Sequence, residues 1–197
     1  SRWGYVAHSA TQMQVIIDGE TVQSFPREGY KIDILPTKRL FTSSTNAVNS
    51  MTQNIVAGER ILFSPNGKHY AFTVSHQDPE SKREVMQVFF DGVELYAASN
   101  VAMMAFTPAS QLIFIPSTYS PEQGHATYFA IGSKMSPKIE GKIADVSIHQ
   151  TSEGEKVAFR ELGQNGSRPH RIYVDNQVAL DMNQGPYAEI AARPSSS

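Results

Sequence analysis

Six histidines, His8, His69, His76, His125, His149 and His170, are the chain's candidates for metal or proton chemistry. No two of them stand at the His-x-x-x-His spacing that puts two ligands on one helix face. His8 and His76 each close an apolar run of the same kind, Tyr5-Val6-Ala7 and Tyr70-Ala71-Phe72-Thr73-Val74. Equivalent positions on neighbouring strands give two readings, a ligand or metal pair at the mouth of a channel or a pair of solvated strand ends. Asp18, Asp91 and Asp175 recur in the same way, each ahead of Gly or Asn after a run such as Val15-Ile16-Ile17. Three carboxylates invite a calcium or catalytic reading. Turn chemistry is the simpler one, because Asp tolerates a left-handed backbone and bonds to its own main chain. Their separation puts them in different segments, which argues against one shared site. Serines are plentiful, but no Gly-x-Ser-x-Gly elbow is present. No Gly-x-Gly-x-x-Gly follows a strand, no phosphate loop exists, and no motif asks for a cofactor. There is no cysteine, so disulfides, thiolate nucleophiles and Cys-ligated metals are excluded.

Composition narrows the partners. Of 197 residues 40% are hydrophobic and 18% charged, a packed globular balance, and the net charge is −2. A strongly basic nucleic-acid binder is thereby excluded, as is a polybasic membrane-surface protein. No apolar run approaches the roughly 20 residues of a membrane-spanning helix. The chain opens on Ser1-Arg2-Trp3 without a signal-peptide pattern. It is therefore expected to be a processed or trimmed chain, or a piece of something larger. The absence of cysteine fits the cytoplasm and a secreted bacterial setting alike.

The elements that position these residues come from a repeat. Ile61-Leu62-Phe63-Ser64-Pro65-Asn66-Gly67 leads into Tyr70-Ala71-Phe72-Thr73-Val74, and Met103-Met104-Ala105-Phe106-Thr107-Pro108-Ala109-Ser110 into Leu112-Ile113-Phe114-Ile115. Val146-Ser147-Ile148 passes through Thr151-Ser152-Glu153-Gly154 into Val157-Ala158-Phe159, so the turns at Gly67, Ser110 and Gly154 lie 43 and 44 residues apart. A second landmark keeps step. Hairpins at Gly19, Gly92, Gly132 and Asn176 are separated by 73, 40 and 44 residues. Asp-Gly and Asp-Asn between β-branched or aromatic runs favour type I′ turns, and Asn66-Gly67 is read the same way. Four strands in about 44 residues is the size of one propeller blade. No segment carries a helical apolar stripe over three turns.

At these residues the sequence resembles the TolB-type β-propeller repeat. Phe63-Ser64-Pro65-Asn66-Gly67-Lys68 is the nearest match, with Asn for the family's Asp. Phe106-Thr107-Pro108-Ala109-Ser110 keeps the proline, and Gly154-Glu155-Lys156 the glycine and lysine. The resemblance covers about residues 59–183 and, in part, 3–25. It implies an all-β fold, a small propeller of about four, alternatively five, four-stranded blades in a single domain spanning 1–197. It also implies a periplasmic or secreted setting. Residues 3–8 read as the second strand of a first blade, and 187–194 as the first strand that closes the ring on it. A fragment of a larger propeller is the third reading of the count. The 73-residue spacing exceeds one period by 29, so an inserted loop is expected at about 26–58.

That loop carries Arg27, Lys31, Lys38 and Arg39 against Glu28 and Asp33, a small positive bias. The aromatics of the strands are expected to fill the space between blades. Trp3 reads as packing at the seam or as an exposed anchor. The function expected first is non-catalytic binding of a protein or small ligand through one face or the central channel. Its candidate residues are His8, His76, Arg27, Lys38 and Arg39. Against it stand a propeller hydrolase or lyase, a gating domain like that of prolyl oligopeptidases, and a subunit of a larger assembly.

Overall fold

The structure is a computed structural model that describes residues 2–32, 61–122, 124–163 and 169–182. These residues are all-β and form four antiparallel sheets. They fall into two compact units, 2–32, 61–122 and 124–135 in the first and 136–163 with 169–182 in the second. The first sheet is β1 (Gly4–His8), β2 (Gln12–Ile17) and β3 (Glu20–Pro26), in chain order. The second holds β4 (Tyr30–Ile32), β5 (Ile61–Phe63), β6 (Tyr70–Gln77), β7 (Glu84–Phe90) and β8 (Val93–Ala98). The third is built from β9 (Asn100–Phe106), β10 (Leu112–Ser120), β11 (Gly124–Thr127), β12 (Ala130–Ile131) and β13 (Lys134–Met135). The second unit carries β14 (Lys142–Thr151), β15 (Gly154–Leu162), β16 (Pro169–Val174) and β17 (Gln177–Asp181), a plain four-stranded meander.

Register reduces the second and third sheets to four strand positions each. β4 and β5 both pair with β6, Ile32 opposite Val74 and Ile61 opposite Phe72. Only Thr73 separates the two ladders, so β4 and β5 are halves of one edge strand, interrupted by the 28 residues 33–60. Tyr30–Ile32 therefore belongs to a strand, although it falls inside the loop expected from sequence. Residues 33–58 of that loop lie outside the described residues, as does the expected closing strand 187–194. In the third sheet, Tyr128 and Phe129 fall between β11 and β12 instead of in a strand. The Tyr128 N–H still donates to Pro116 O at 3.0 Å, so β11 and β12 continue one line along β10.

Period-2 alternation decides what each sheet buries. Met13, Val15 and Ile17 of β2 point one way and are at most 2% exposed. They meet Phe25, Ile32, Ile61, Phe72, Val74 and Phe89 in one apolar core between the first and second sheets. The intervening residues of the second sheet, Leu62, Ala71 and Val88, face the other way and pack with Met104, Phe106, Leu112 and Phe114 of the third. The second sheet is thus apolar on both faces, which is why its sequence reads as near-continuous hydrophobic runs. Phe72 stacks on Phe89 with ring centroids 5.0 Å apart. Trp3 is 52% exposed and stacks on Tyr5 at 5.7 Å.

The hairpins follow the sequence reading in their backbone and depart from it in their bonding. Both central residues have positive φ at Asp18-Gly19, Asp91-Gly92 and Asp175-Asn176, the type I′ signature. The carboxylates, however, reach across the sheet to main chain far away in sequence. Asp18 Oδ1 accepts the Trp3 N–H, Asp91 Oδ1 the Tyr70 N–H and Asp175 Oδ1 the Val157 N–H, each at 3.0 Å. The basic residue just ahead of each of those residues closes the clasp on the same Asp: Arg2 at 2.7 Å, His69 at 2.6 Å and Lys156 at 3.1 Å. At Asn66-Gly67 the positive φ belongs to Gly67 alone, which donates to Ser64 O at 2.8 Å. Pro65 and Asn66 are therefore the central residues of the turn, where proline's fixed φ suits the first position. Ser110, at φ +69, takes the place of Gly67 in the turn after Thr107-Pro108.

The second unit buries one carboxylate completely. Glu161 is 0% exposed. Its Oε1 accepts the N–H groups of Glu140 and Gly141, both at 2.8 Å, and its Oε2 the Tyr173 hydroxyl at 2.8 Å. Arg171 lies 3.7 Å from Oε2 and donates to Asp181 at 3.1 Å. Burial first, and the hydrogen bond to Glu161 second, push the Tyr173 phenol up to about 12.

Candidate functional site

One open cleft of about 720 Å³ lies in the first unit, where the first and second sheets meet. Chain geometry explains who lines it. β1 ends there at His8, β2 begins there with Met13, and β3 delivers Arg27 one residue past its end. The chain turns at Gly29, whose φ of +81° only glycine adopts cheaply, and enters β4 with Tyr30 and Lys31. From the second sheet come Ser75, His76 and Gln77 at the end of β6, Lys82 in the turn and Glu84 at the start of β7.

The walls are positioned by the core behind them. Tyr30 is the cross-strand partner of His76, and the two rings stack at 4.8 Å with 13° between their planes. Tyr30 leans in turn on Phe25 at 6.0 Å, and Phe25 meets the edge of Phe89 at 5.4 Å. A file of rings therefore runs from the buried core to the cleft and fixes the imidazole. His76 Nδ1 is buried and Ser75 is 1% exposed, and among the described residues neither Nδ1 nor the Ser75 hydroxyl has a hydrogen-bond partner. Leaving one such buried polar group unpaired costs on the order of 1–3 kcal/mol.

Electrostatics give the cleft a sign. Arg27, Lys31 and Lys82 line it against one carboxylate, Glu84. Arg27 Nη1 donates to Ser9 O at 2.9 Å, which sets its direction but leaves its charge uncompensated. Among the described residues none of the three cations joins an ion pair, whereas Arg2, Lys156, Arg160 and Arg171 all do. Asp78, in the turn after His76, is engaged by its own turn. Its carboxyl is held below the ordinary range, first by the Ser81 N–H at 2.6 Å, with a smaller contribution from His76.

Of the residues singled out from sequence, the structure brings His8, His76 and Arg27 to this one cleft. Lys38 and Arg39 lie outside the described residues. Arg27 was attached by sequence to the loop, and the fold instead sets it beside the two histidines. Tyr30, Lys82 and Glu84 escaped the sequence reading. The signal for Lys82 was the Asp78-Pro79-Glu80-Ser81 turn directly after His76, a turn dipeptide that carries its successor to the same end of the sheet. Three other histidines serve elsewhere: His69 clasps Asp91, His125 packs on Tyr119 at 4.9 Å, and His149 lies 3.2 Å from Ser147 Oγ. Among the described residues no group of three or more His, Asp or Glu is arranged to hold a metal ion, so the histidine pair has no third ligand of that kind there. Among the described residues there is no helix long and apolar enough to cross a membrane. Compared with known proteins, the chain matches no family model, no curated protein and no solved structure.

Proposed function

We propose that this chain is a ligand-binding module without catalytic machinery, a small β-propeller of about four TolB-like blades whose ligand enters the cleft between the first two sheets. The observation that carries the binding reading is convergence. His8, Arg27, Tyr30, Lys31, His76 and Lys82 arrive from separate strands and turns at one opening. The propeller reading is supported by the meander order of the sheets and by the same Asp clasp in three of them. Binding is favoured over hydrolysis by Ser75. It is the lining hydroxyl nearest in type to a nucleophile, and its Oγ is hydrogen-bonded to no base, where an activated serine needs one.

The test uses the histidines as reporters. The ring Cε1–H signals of His8 and His76 are followed by NMR while the chain is titrated with glucose, spermidine, trialanine, citrate and inorganic phosphate. At least one compound is expected to move both signals saturably and leave His125 and His149 in place. If every compound leaves His8 and His76 unmoved, or moves only the other histidines, the binding reading fails.

A further inference from the structure

Resting on that binding reading, we infer that the cleft selects a small anion with several acceptor oxygens, a carboxylate or a phosphate. Three independent features of the site point to this chemistry. The first is charge: three cations and one carboxylate line the opening of a chain whose net charge is −2. The second is that these cations are unspent. Elsewhere in the described residues the sheets use their cations in clasps, Arg2 with Asp18 and Lys156 with Asp175, while Arg27, Lys31 and Lys82 have no acidic partner. The third is donor supply. An arginine fork and two ammonium groups offer donors to oxygen. His76 lines the same opening, its ring held in place by stacking on Tyr30.

The arrangement also explains why a compact anion fits better than a neutral sugar or a cation. Desolvating the cleft with a neutral ligand leaves three like charges around one opening at reduced dielectric. A cation adds a fourth. An anion removes the repulsion and supplies acceptors at once. Asp78 is not among the lining residues, and its Oδ1 accepts the N–H groups of Glu80 and Ser81. Glu84 is the one lining carboxylate among the described residues, so the cations outnumber it three to one.

The experiment compares citrate and inorganic phosphate with glucose and spermidine at constant ionic strength, reading the His8 and His76 signals. It is then repeated on Lys31→Gln, Lys82→Gln, the double variant and, as a control, Lys68→Gln. Lys68 sits in a turn at the opposite end of β6. Citrate or phosphate is expected to bind, and whichever binds more tightly tells a carboxylate from a phosphate ligand. Each single substitution in the cleft should weaken binding by roughly two- to fivefold, the worth of one exposed charge contact. The double variant should lose roughly tenfold, Lys68→Gln nothing. Unchanged circular dichroism and melting show that the variants fold, because neither cleft lysine side chain holds a described partner. If glucose or spermidine moves the histidine signals and the anions do not, the selectivity is overturned while the binding reading stands. Anion binding that ignores both lysine substitutions also overturns it. If none of these four probes binds, the selectivity falls, and the binding reading falls with it unless trialanine moves both histidine signals.

Discussion

Replacing Glu161 by glutamine keeps the shape of the side chain and removes its charge, so it asks what a buried carboxylate contributes. Glu161 Oε1 holds two N–H groups and Oε2 one hydroxyl, all at 2.8 Å. Hydrogen bonds to a charged group contribute roughly 1.5–3 kcal/mol net, against roughly 0.5–1.5 for neutral pairs. Three bonds that each lose about 1 kcal/mol give a destabilisation of about 3 kcal/mol. Arg171 loses the charge 3.7 Å away but keeps Asp181 at 3.1 Å, so it adds little. With a urea m-value of about 2 kcal/mol/M, the midpoint should fall by about 1.5 M with m unchanged. Amide exchange supplies the local reading. The Glu140 and Gly141 N–H groups should lose protection by roughly a hundredfold, since each 1.4 kcal/mol is a factor of ten. Buried charges are in some proteins a net burden, and their neutral replacement then stabilises the fold. A midpoint that stays or rises in Glu161→Gln would refute the reasoning, and the carboxylate would count as tolerated rather than stabilising.

Three further outcomes follow from the same geometry. Tyr173 has its phenol raised to about 12 in the fold, so its contribution is complete below the unfolded value near 10 and is lost as pH climbs from about 10 to 12; a melting series over that window should fall more steeply for the wild type than for Tyr173→Phe. Asp18 has its carboxyl lowered, chiefly by the Trp3 N–H and then by Arg2, so its stabilisation is present above about pH 4 and is lost as pH falls through the depressed value; Asp18→Asn should melt lower at neutral pH, and the gap to the wild type should narrow as pH falls below about 4. Replacing residues 33–60 by a single residue opposite Thr73 should preserve the β4–β6 and β5–β6 ladders, because Ile32 and Ile61 already sit in continuous register; amide protection lost throughout β6 would show that they are not one strand.

What the sequence disclosed was local. Asp18-Gly19, Asp91-Gly92 and Asp175-Asn176 announce themselves because two adjacent positive φ angles admit few residue types, and all three turns have that backbone. The all-β class follows from the same runs and alternations. What stayed hidden depends on distant partners. Tyr30–Ile32 is three residues long, too short for any periodicity, and is recognisable only through its pairing with residues 74–76 of β6. Glu161 reads as an ordinary strand charge beside Arg160, since nothing nearby in sequence reveals the N–H groups of Glu140 and Gly141 that receive it. The candidate site was half legible. His8 and His76 were paired by their equivalent strand ends, whereas Arg27, Tyr30 and Lys82 reach them through turns whose direction the residues alone do not fix.

In the first two sheets the two ends of the strands are put to different uses. At the end where β1 starts and β2 stops, Asp18 takes the Trp3 N–H and Arg2; where β6 starts and β7 stops, Asp91 takes the Tyr70 N–H and His69. Each Asp in these clasps is hydrogen-bonded to a basic side chain, and each ties a hairpin to the neighbouring strand. The opposite end, where β1 and β6 stop, holds His8, His76, Arg27, Lys31 and Lys82, with cations that nothing in the described residues neutralises. A fold that must only persist gains nothing from concentrating unmatched charge and an unpaired buried imidazole nitrogen at one opening, because each lowers stability. Such a local departure from matched, satisfied packing, on a scaffold that satisfies it at the other end, is what a binding surface requires. On the proposed binding reading the site is separable from the fold: lysine substitutions at the cleft should act on ligand affinity, and aspartate substitutions at the clasps on stability.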